Sequence, residues 1–160
     1  MTRASSSQSE LTFGPLEAIL GLHIGLANSA ILQHFRRRLE HLQLTQKQTS
    51  LLWLVSENPG LSQIDFARLF GIDRATTLGI TNSLTQRGLI ERRAMADHGR
   101  KLGLHVTPAG EKLLKEAKTA VAAHEKWVKK RYSAAEVALI KSLMRRLYEP
   151  GSAQAESSDD

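Results

Sequence analysis

The chain has no cysteine. That excludes disulfides, thiolate zinc sites, thiol nucleophiles and thiol-based redox sensing together. It also has no long apolar run. The most apolar stretch, Leu11 to Leu32, is interrupted by Glu17, His23 and Asn28 and is too polar to span a membrane. The N-terminal residues carry no apolar segment beside their basic residue, so no signal peptide is expected. No internal repeat, Gly-rich phosphate loop, nucleophile–base pair or metal triad is visible. These absences point to a soluble cytoplasmic protein that works off the membrane, without a cofactor and without catalysis.

What is present is a basic, ordinary globular composition. The 160 residues suffice for one domain, or for one compact domain with an added element. Hydrophobic residues make up 41% and charged residues 24%, which excludes wholesale disorder. Formal net charge is +6, and it is uneven. Glu149, Glu156, Asp159 and Asp160 close the chain with no basic residue among them. Residues 1–148 therefore hold 22 basic against 12 acidic side chains, or +10. A basic body with an acidic tail suggests a polyanionic partner. Residues 1–13, Ser-rich and aperiodic, and 149–160, small, polar and acidic, are both expected to be disordered.

Between those ends the periodicity predicts helices. Apolar residues from Leu16 through Ile24 and Ile31 to Leu39 keep helical spacing, giving a first helix from Pro15 or Leu16 to His41. At about 26 residues it would be about 39 Å long. Its N-terminal half is apolar on more than one face, a surplus that usually meets another chain. Thr45 caps a second helix, Gln46 to about Glu57, which Asn58-Pro59-Gly60 ends. Ser62 caps a third, Gln63 to Phe70, with Ile64, Phe66, Ala67, Leu69 and Phe70 as its inner residues and Gly71 as its stop. Asp73 caps a fourth, Arg74 to Arg87. Two strand-like runs follow, Leu89 to Arg93 and Lys101 to Val106, around a polar turn. Thr107 and Pro108 start a fifth helix that runs to about Tyr132. Ser133 and Glu136 form a capping box for a sixth, which ends near Tyr148.

Helix, helix, turn, helix and hairpin make a winged helix-turn-helix, so the expected fold is mainly α with one small β-hairpin, flanked by long helices. In this order and spacing, Leu44-Thr45 with Gln48, Gly71-Ile72-Asp73, Arg87-Gly88-Leu89-Ile90-Glu91-Arg92 and Thr107-Pro108-Ala109-Gly110 resemble the MarR (multiple antibiotic resistance regulator) family of transcription factors. The resemblance covers about Leu16 to Tyr148. It implies a DNA-binding domain over 45–107 and a helical dimerisation region over 14–44 and 108–148. Gln63 with Asp73-Arg74-Ala75-Thr76-Thr77, after Pro59-Gly60, looks like the branch of the family that controls aromatic-acid catabolism.

A helix-turn-helix lays its second helix in the major groove of double-stranded DNA. With Ile80 and Leu84 turned to the core beside Ala67 and Leu69, that helix presents Arg74, Ala75, Leu78, Gly79 and Asn82, with Thr76 and Thr77 near the groove. Arg74 suits a guanine edge or a phosphate, Asn82 suits adenine, and Ala75 and Thr76 suit thymine methyls. Where relatives often carry a basic residue, this chain has Gly79. Ser62 and Gln63 open the preceding helix and either bind phosphate or, for Ser62, simply cap it. Arg92 and Arg93 on the first strand, Arg100 and Lys101 on the second, and His98 between them form the hairpin contact, where an arginine can enter a narrow minor groove. The family's Asp-x-Arg tip is here one residue longer, Asp97-His98-Gly99-Arg100. Arg100 keeps its spacing to Thr107, and the resemblance assigns it the minor-groove role.

One winged helix reads too few base pairs alone, so a homodimer on a pseudo-palindromic operator is expected. Its candidate faces are the N-terminal part of the first helix and Val121, Val128, Val137, Ile140, Leu143, Met144 and Leu147. The resemblance implies release from DNA when a small molecule binds between the dimer helices and the winged domain. The candidate effector residues are His23, Ala27, Ala30, His34 and Arg38 along one stripe of the first helix, with Trp53 from the second. Cations beside an indole suit an aromatic carboxylate of benzoate or hydroxycinnamate type, or its coenzyme A thioester. The free acid is preferred, since no phosphate loop is present. The alternative for His34 and Arg38 is a solvated helix end, and for His23 an ordinary interface residue. Other readings are a metal sensor using Glu40, His41, His105 and His124, a ligand-free regulator, an activator, a nucleoid-type DNA binder, or an enzyme.

Overall fold

The computed structural model describes residues 12–94 and 102–149. The expected tails apart from Thr12, Phe13 and Glu149, the hairpin tip with Asp97, His98 and Arg100, and Lys101 lie outside the described residues. Six helices and one hairpin follow in order: α1 (Leu20–Leu39), α2 (Gln46–Glu57), α3 (Gln63–Phe70), α4 (Arg74–Gln86), β1 (Ile90–Ala94), β2 (Leu102–Val106), α5 (Pro108–Lys129) and α6 (Ala134–Tyr148). The strands are antiparallel, with Ile90 opposite Val106 and Ala94 opposite Leu102.

Local chemistry starts most of these elements where the sequence places them. Thr45 and Gln48 form a reciprocal capping box at α2, and Ser133 and Glu136 form one at α6. The side chains of Ser62, Asp73 and Thr107 accept backbone amides at α3, α4 and α5. Gly71 ends α3 in the left-handed region, at φ 57°, where a side chain would be strained.

The first helix is not continuous. Gly14–Ala18 forms a 3₁₀ turn, Ile19 is extended at φ −89° and ψ 111°, and α1 begins at Leu20. The Leu16 carbonyl accepts from Ile19, three residues on, which closes the turn early. No residue of this turn is buried, so packing does not hold it in the longer helix. At the other end α1 tightens into a second 3₁₀ turn, Glu40–Leu42, which tucks Leu42 into the core. Gln43 then reverses the chain at φ 50°. α5 likewise ends at Lys129, and Tyr132, expected to be helical, closes a three-residue turn onto the Lys129 carbonyl.

A single core lies within the winged part and its two roots. Phe35 and Leu39 come from the end of α1, Leu51, Leu52 and Val55 from α2, and Phe66 from α3. Leu84 comes from α4, Ile90 and Leu104 from the hairpin, and Leu114 and Ala117 from the first half of α5. α3 departs from expectation. Only Phe66 is buried, while Ile64 is 65% and Leu69 63% exposed, and Phe70 stacks on Phe66 at the surface. An eight-residue helix resting on one large ring has no second inward face for the others. α6 has no buried residue at all, and Leu139, Ile140, Leu143 and Leu147 are exposed. Val121, expected at a dimer face, instead packs against the core.

Candidate nucleic-acid interface

α4 has one inward and one outward face. Thr81 and Leu84 are buried, and so is Thr77, which was expected near the groove. Its hydroxyl donates to the Asp73 carbonyl at 3.0 Å. The Thr placed outward is Thr76, half-buried and bound to its own cap: its amide and hydroxyl donate to the two Asp73 carboxylate oxygens at 2.7 and 2.6 Å. These bonds hold the Asp73 carboxyl below its ordinary pKa. Arg74, Ala75, Leu78 and Gly79 form the open face, with Asn82 half-buried at its far end. A β-carbon at Gly79 would meet nothing within 4 Å.

Ser62 acts as a cap. Its oxygen accepts the Asp65 amide at 3.1 Å and its hydroxyl donates to Asp65 Oδ2 at 2.6 Å. Gln63 differs: its side-chain nitrogen is buried with no hydrogen-bond partner among the described residues. It is an unsatisfied buried donor at the start of α3.

Along β1 the side chains alternate. Ile90 enters the core, and Arg92, on the same side, reaches α4 and donates to Asn82 Oδ1 at 2.8 Å. Arg93 points the other way and pairs with Glu91. The arginine that joins the recognition helix is therefore Arg92, expected on the hairpin but not as a partner of α4. The alternation from Ile90 was the signal that could have found it.

The residues expected to meet an effector fall into three places. His23 is exposed and its Nε2 donates to the Glu17 carbonyl at 2.7 Å, tying α1 to the preceding turn. Ala27 and Ala30 lie exposed on the next turns. His34 is engaged where α1 crosses α5. Its ring stacks on Trp127 at 3.9 Å, the Arg131 guanidinium also lies 3.9 Å from that indole, and His34 Nδ1 is 2.8 Å from Nδ1 of buried His124. One ring must donate and the other accept, so the bond requires one bare nitrogen. Burial lowers both imidazole pKa values. His124 and Arg38, with Arg131 and Arg37, add to this at His34, and Arg38 adds to it at His124 against the opposing pull of Glu125. Trp53 stands apart from this cluster, in an open groove of about 650 Å³ lined by α2, α5 and Lys130 just after it, with Lys118, Val121 and Lys126 among the α5 residues. Its Nε1 donates to Glu57, which also takes Lys118 at 3.1 Å. His124 and Trp127 were missing from the expected effector set. Among the described residues no group of three metal-ligating side chains comes together, so Glu40, His41, His105 and His124 do not form one site. No described helix is long and apolar enough to cross a membrane.

An open recognition helix, a capped helix before it and an arginine-bearing hairpin beside it define a winged-helix DNA-binding protein. The MarR family pattern matches residues 44–102. A protein of Thauera aromatica, described as the transcriptional regulatory protein for the hcr operon, is 31% identical over 91% of this chain and 88% of its own length. Two solved structures of the transcriptional repressor CouR are also similar. One, bound to a 23-mer DNA duplex, is 29% identical with a TM-score of 0.81 over 88% of this chain and 100% of that one. The other, bound to p-coumaroyl-CoA, is 30% identical with a TM-score of 0.78 over the same shares. The chain belongs to the MarR family, and it is a transcriptional regulator, not an enzyme.

Proposed function

We propose that the chain is a ligand-responsive repressor that binds a pseudo-palindromic operator as a homodimer and releases it when an aromatic carboxylic acid binds. The observation that carries this reading is the outward face of α4. Arg74, Ala75, Leu78 and Gly79 are exposed, and Arg92 of the hairpin reaches Asn82 beside them. Base contacts would come from Arg74, Ala75, Thr76 and Asn82. Ser62 and Gln63 at the start of α3 would meet backbone phosphate, and Arg93, His98 and Lys101 would contact the DNA beside Arg100, which would enter the minor groove. The DNA-bound CouR relative supports this docking. The exposed apolar face of α6 and the exposed Leu16, Ile19 and Leu20 support a second copy as partner.

The effector is of benzoate or hydroxycinnamate type, as the free acid or its coenzyme A thioester. Arg37, Arg38 and Arg131 around His34 favour an anion over a metal ion, and Ala27 and Ala30 leave room beside them. The p-coumaroyl-CoA complex of CouR supports the thioester form. The ligand acts by favouring a spacing of the two winged domains that does not fit the operator half-sites. The test is fluorescence anisotropy on an operator selected by the protein, titrated with free acids and their thioesters. Release by one class alone names the effector. No release by any member, with unchanged melting temperature, overturns the effector reading.

A further inference from the structure

We propose that Arg92 is a positioning residue for Asn82, and that the pair reads guanine, not adenine, at the base pair facing the third turn of α4. This rests on the operator reading above. A free asparagine suits adenine because its amide offers one acceptor and one donor, matching N6–H and N7. Here Arg92 Nη2 donates to Asn82 Oδ1 at 2.8 Å. That bond turns the oxygen end of the amide toward the hairpin, where one of its two lone pairs is taken, and leaves the Nδ2 hydrogens for the groove. A guanidinium has only donors, so the joined pair presents N–H groups and a positive charge. Adenine would set its own N6–H donors against them, as would cytosine with N4–H. Guanine offers N7 and O6, two acceptors.

Three neighbouring facts favour this geometry. Arg92 has no carboxylate partner among the described residues, whereas Arg93 holds Glu91 and leaves Arg92 to the helix. The alternation of β1 puts Arg92 on the side of Ile90, which faces the core against α4. Gly79, three residues before Asn82 on the same helical face, has open space where a side chain would stand, so a base edge can approach unobstructed.

The test is selection from a randomised duplex library by the full-length protein and by Asn82→Ala, Arg92→Ala and Arg92→Lys. The wild type should favour guanine over adenine by about tenfold at one position of each half-site. Asn82→Ala should erase that preference. Arg92→Ala frees the amide acceptor and should turn the position toward adenine, while Arg92→Lys, still only a donor, should keep guanine. Adenine at that position in the wild type overturns the proposal, as does an unchanged guanine preference in Arg92→Ala. If Arg92→Ala binds no DNA, Arg92→Lys decides: retained guanine supports the pair, and any other preference overturns it. A wild-type library with no enriched site would sink the operator reading, and this inference with it. An enriched site without guanine would sink this inference alone.

Discussion

The winged half and the outer helices are both rich in apolar residues but use them differently. In the winged half, leucines from α2, α4, β2 and α5 converge with Phe66 and Ile90 and exclude water within one chain. In α6 and the start of α1, leucines and isoleucines stay at the surface. The first region is complete alone. The second is amphipathic structure whose apolar side the described residues leave open: α6 is held by its capping box, whereas the start of α1 has no side-chain cap. The contrast teaches that local helix signals and burial are separate properties. α6 has a reciprocal capping box and no core.

Four perturbations would break or sharpen that contrast, in descending order of effect. Phe66→Ala removes the one large ring by which α3 is held and should lower stability by about 3–5 kcal/mol, independently of protein concentration. Chemical denaturation at two concentrations checks this. Leu143→Asp places a charge on the open face of α6. It should abolish dimerisation, seen as a halved mass in sedimentation, while the circular dichroism of the winged half persists. A retained dimer would remove α6 from the interface.

A third perturbation probes the seam between the two regions, where His34 meets His124. Both imidazoles are held below the ordinary value of 6.5. The unfolded chain therefore binds these protons more readily, and stability should fall as pH drops below 6.5 toward the folded values. His124→Phe should flatten that dependence in melting curves taken across the range; an equally steep curve would place the acid sensitivity elsewhere. The smallest effect is expected from Ser62→Ala, about 1 kcal/mol from loss of the α3 cap. If Ser62 serves only as a cap, operator affinity should follow stability and nothing more.

These regions also differed in how far they could be read in advance. Caps are short-range chemistry, and the limits of α2 and α3 follow from Thr45, Ser62 and the glycines after them. The winged motif was legible for the same reason. Burial depends on what lies opposite. Ile64 and Leu69 look like core residues by spacing, but among the described residues no element covers them. Thr77 looks like a groove residue by polarity, yet its hydroxyl is satisfied by the Asp73 carbonyl, so it can turn inward. His34 was legible as a special position, but Trp127 and His124 come from 90 or more residues away, beyond any local pattern. Arg92 was legible as a hairpin charge, but its bond to Asn82 depends on the pleat that runs from Ile90 and on which helix lies beneath it.

One contact at the root of α5 makes the two regions mechanically dependent. The Thr107 hydroxyl donates to the Gly88 carbonyl at 2.6 Å, and a β-carbon on Gly110 would lie 2.0 Å from the Leu89 carbonyl oxygen. The helix is thus seated against the strand that follows α4, with no slack for sliding. A seated helix of 22 residues behaves as a crank. At 1.5 Å per residue its far end is about 33 Å from the seat, so a tilt of about five degrees moves that end by about 3 Å. Reversed, a displacement of a few ångströms where α5 meets α1 must either rotate the whole winged half or unseat Gly110. The glycine makes rotation the easier of the two.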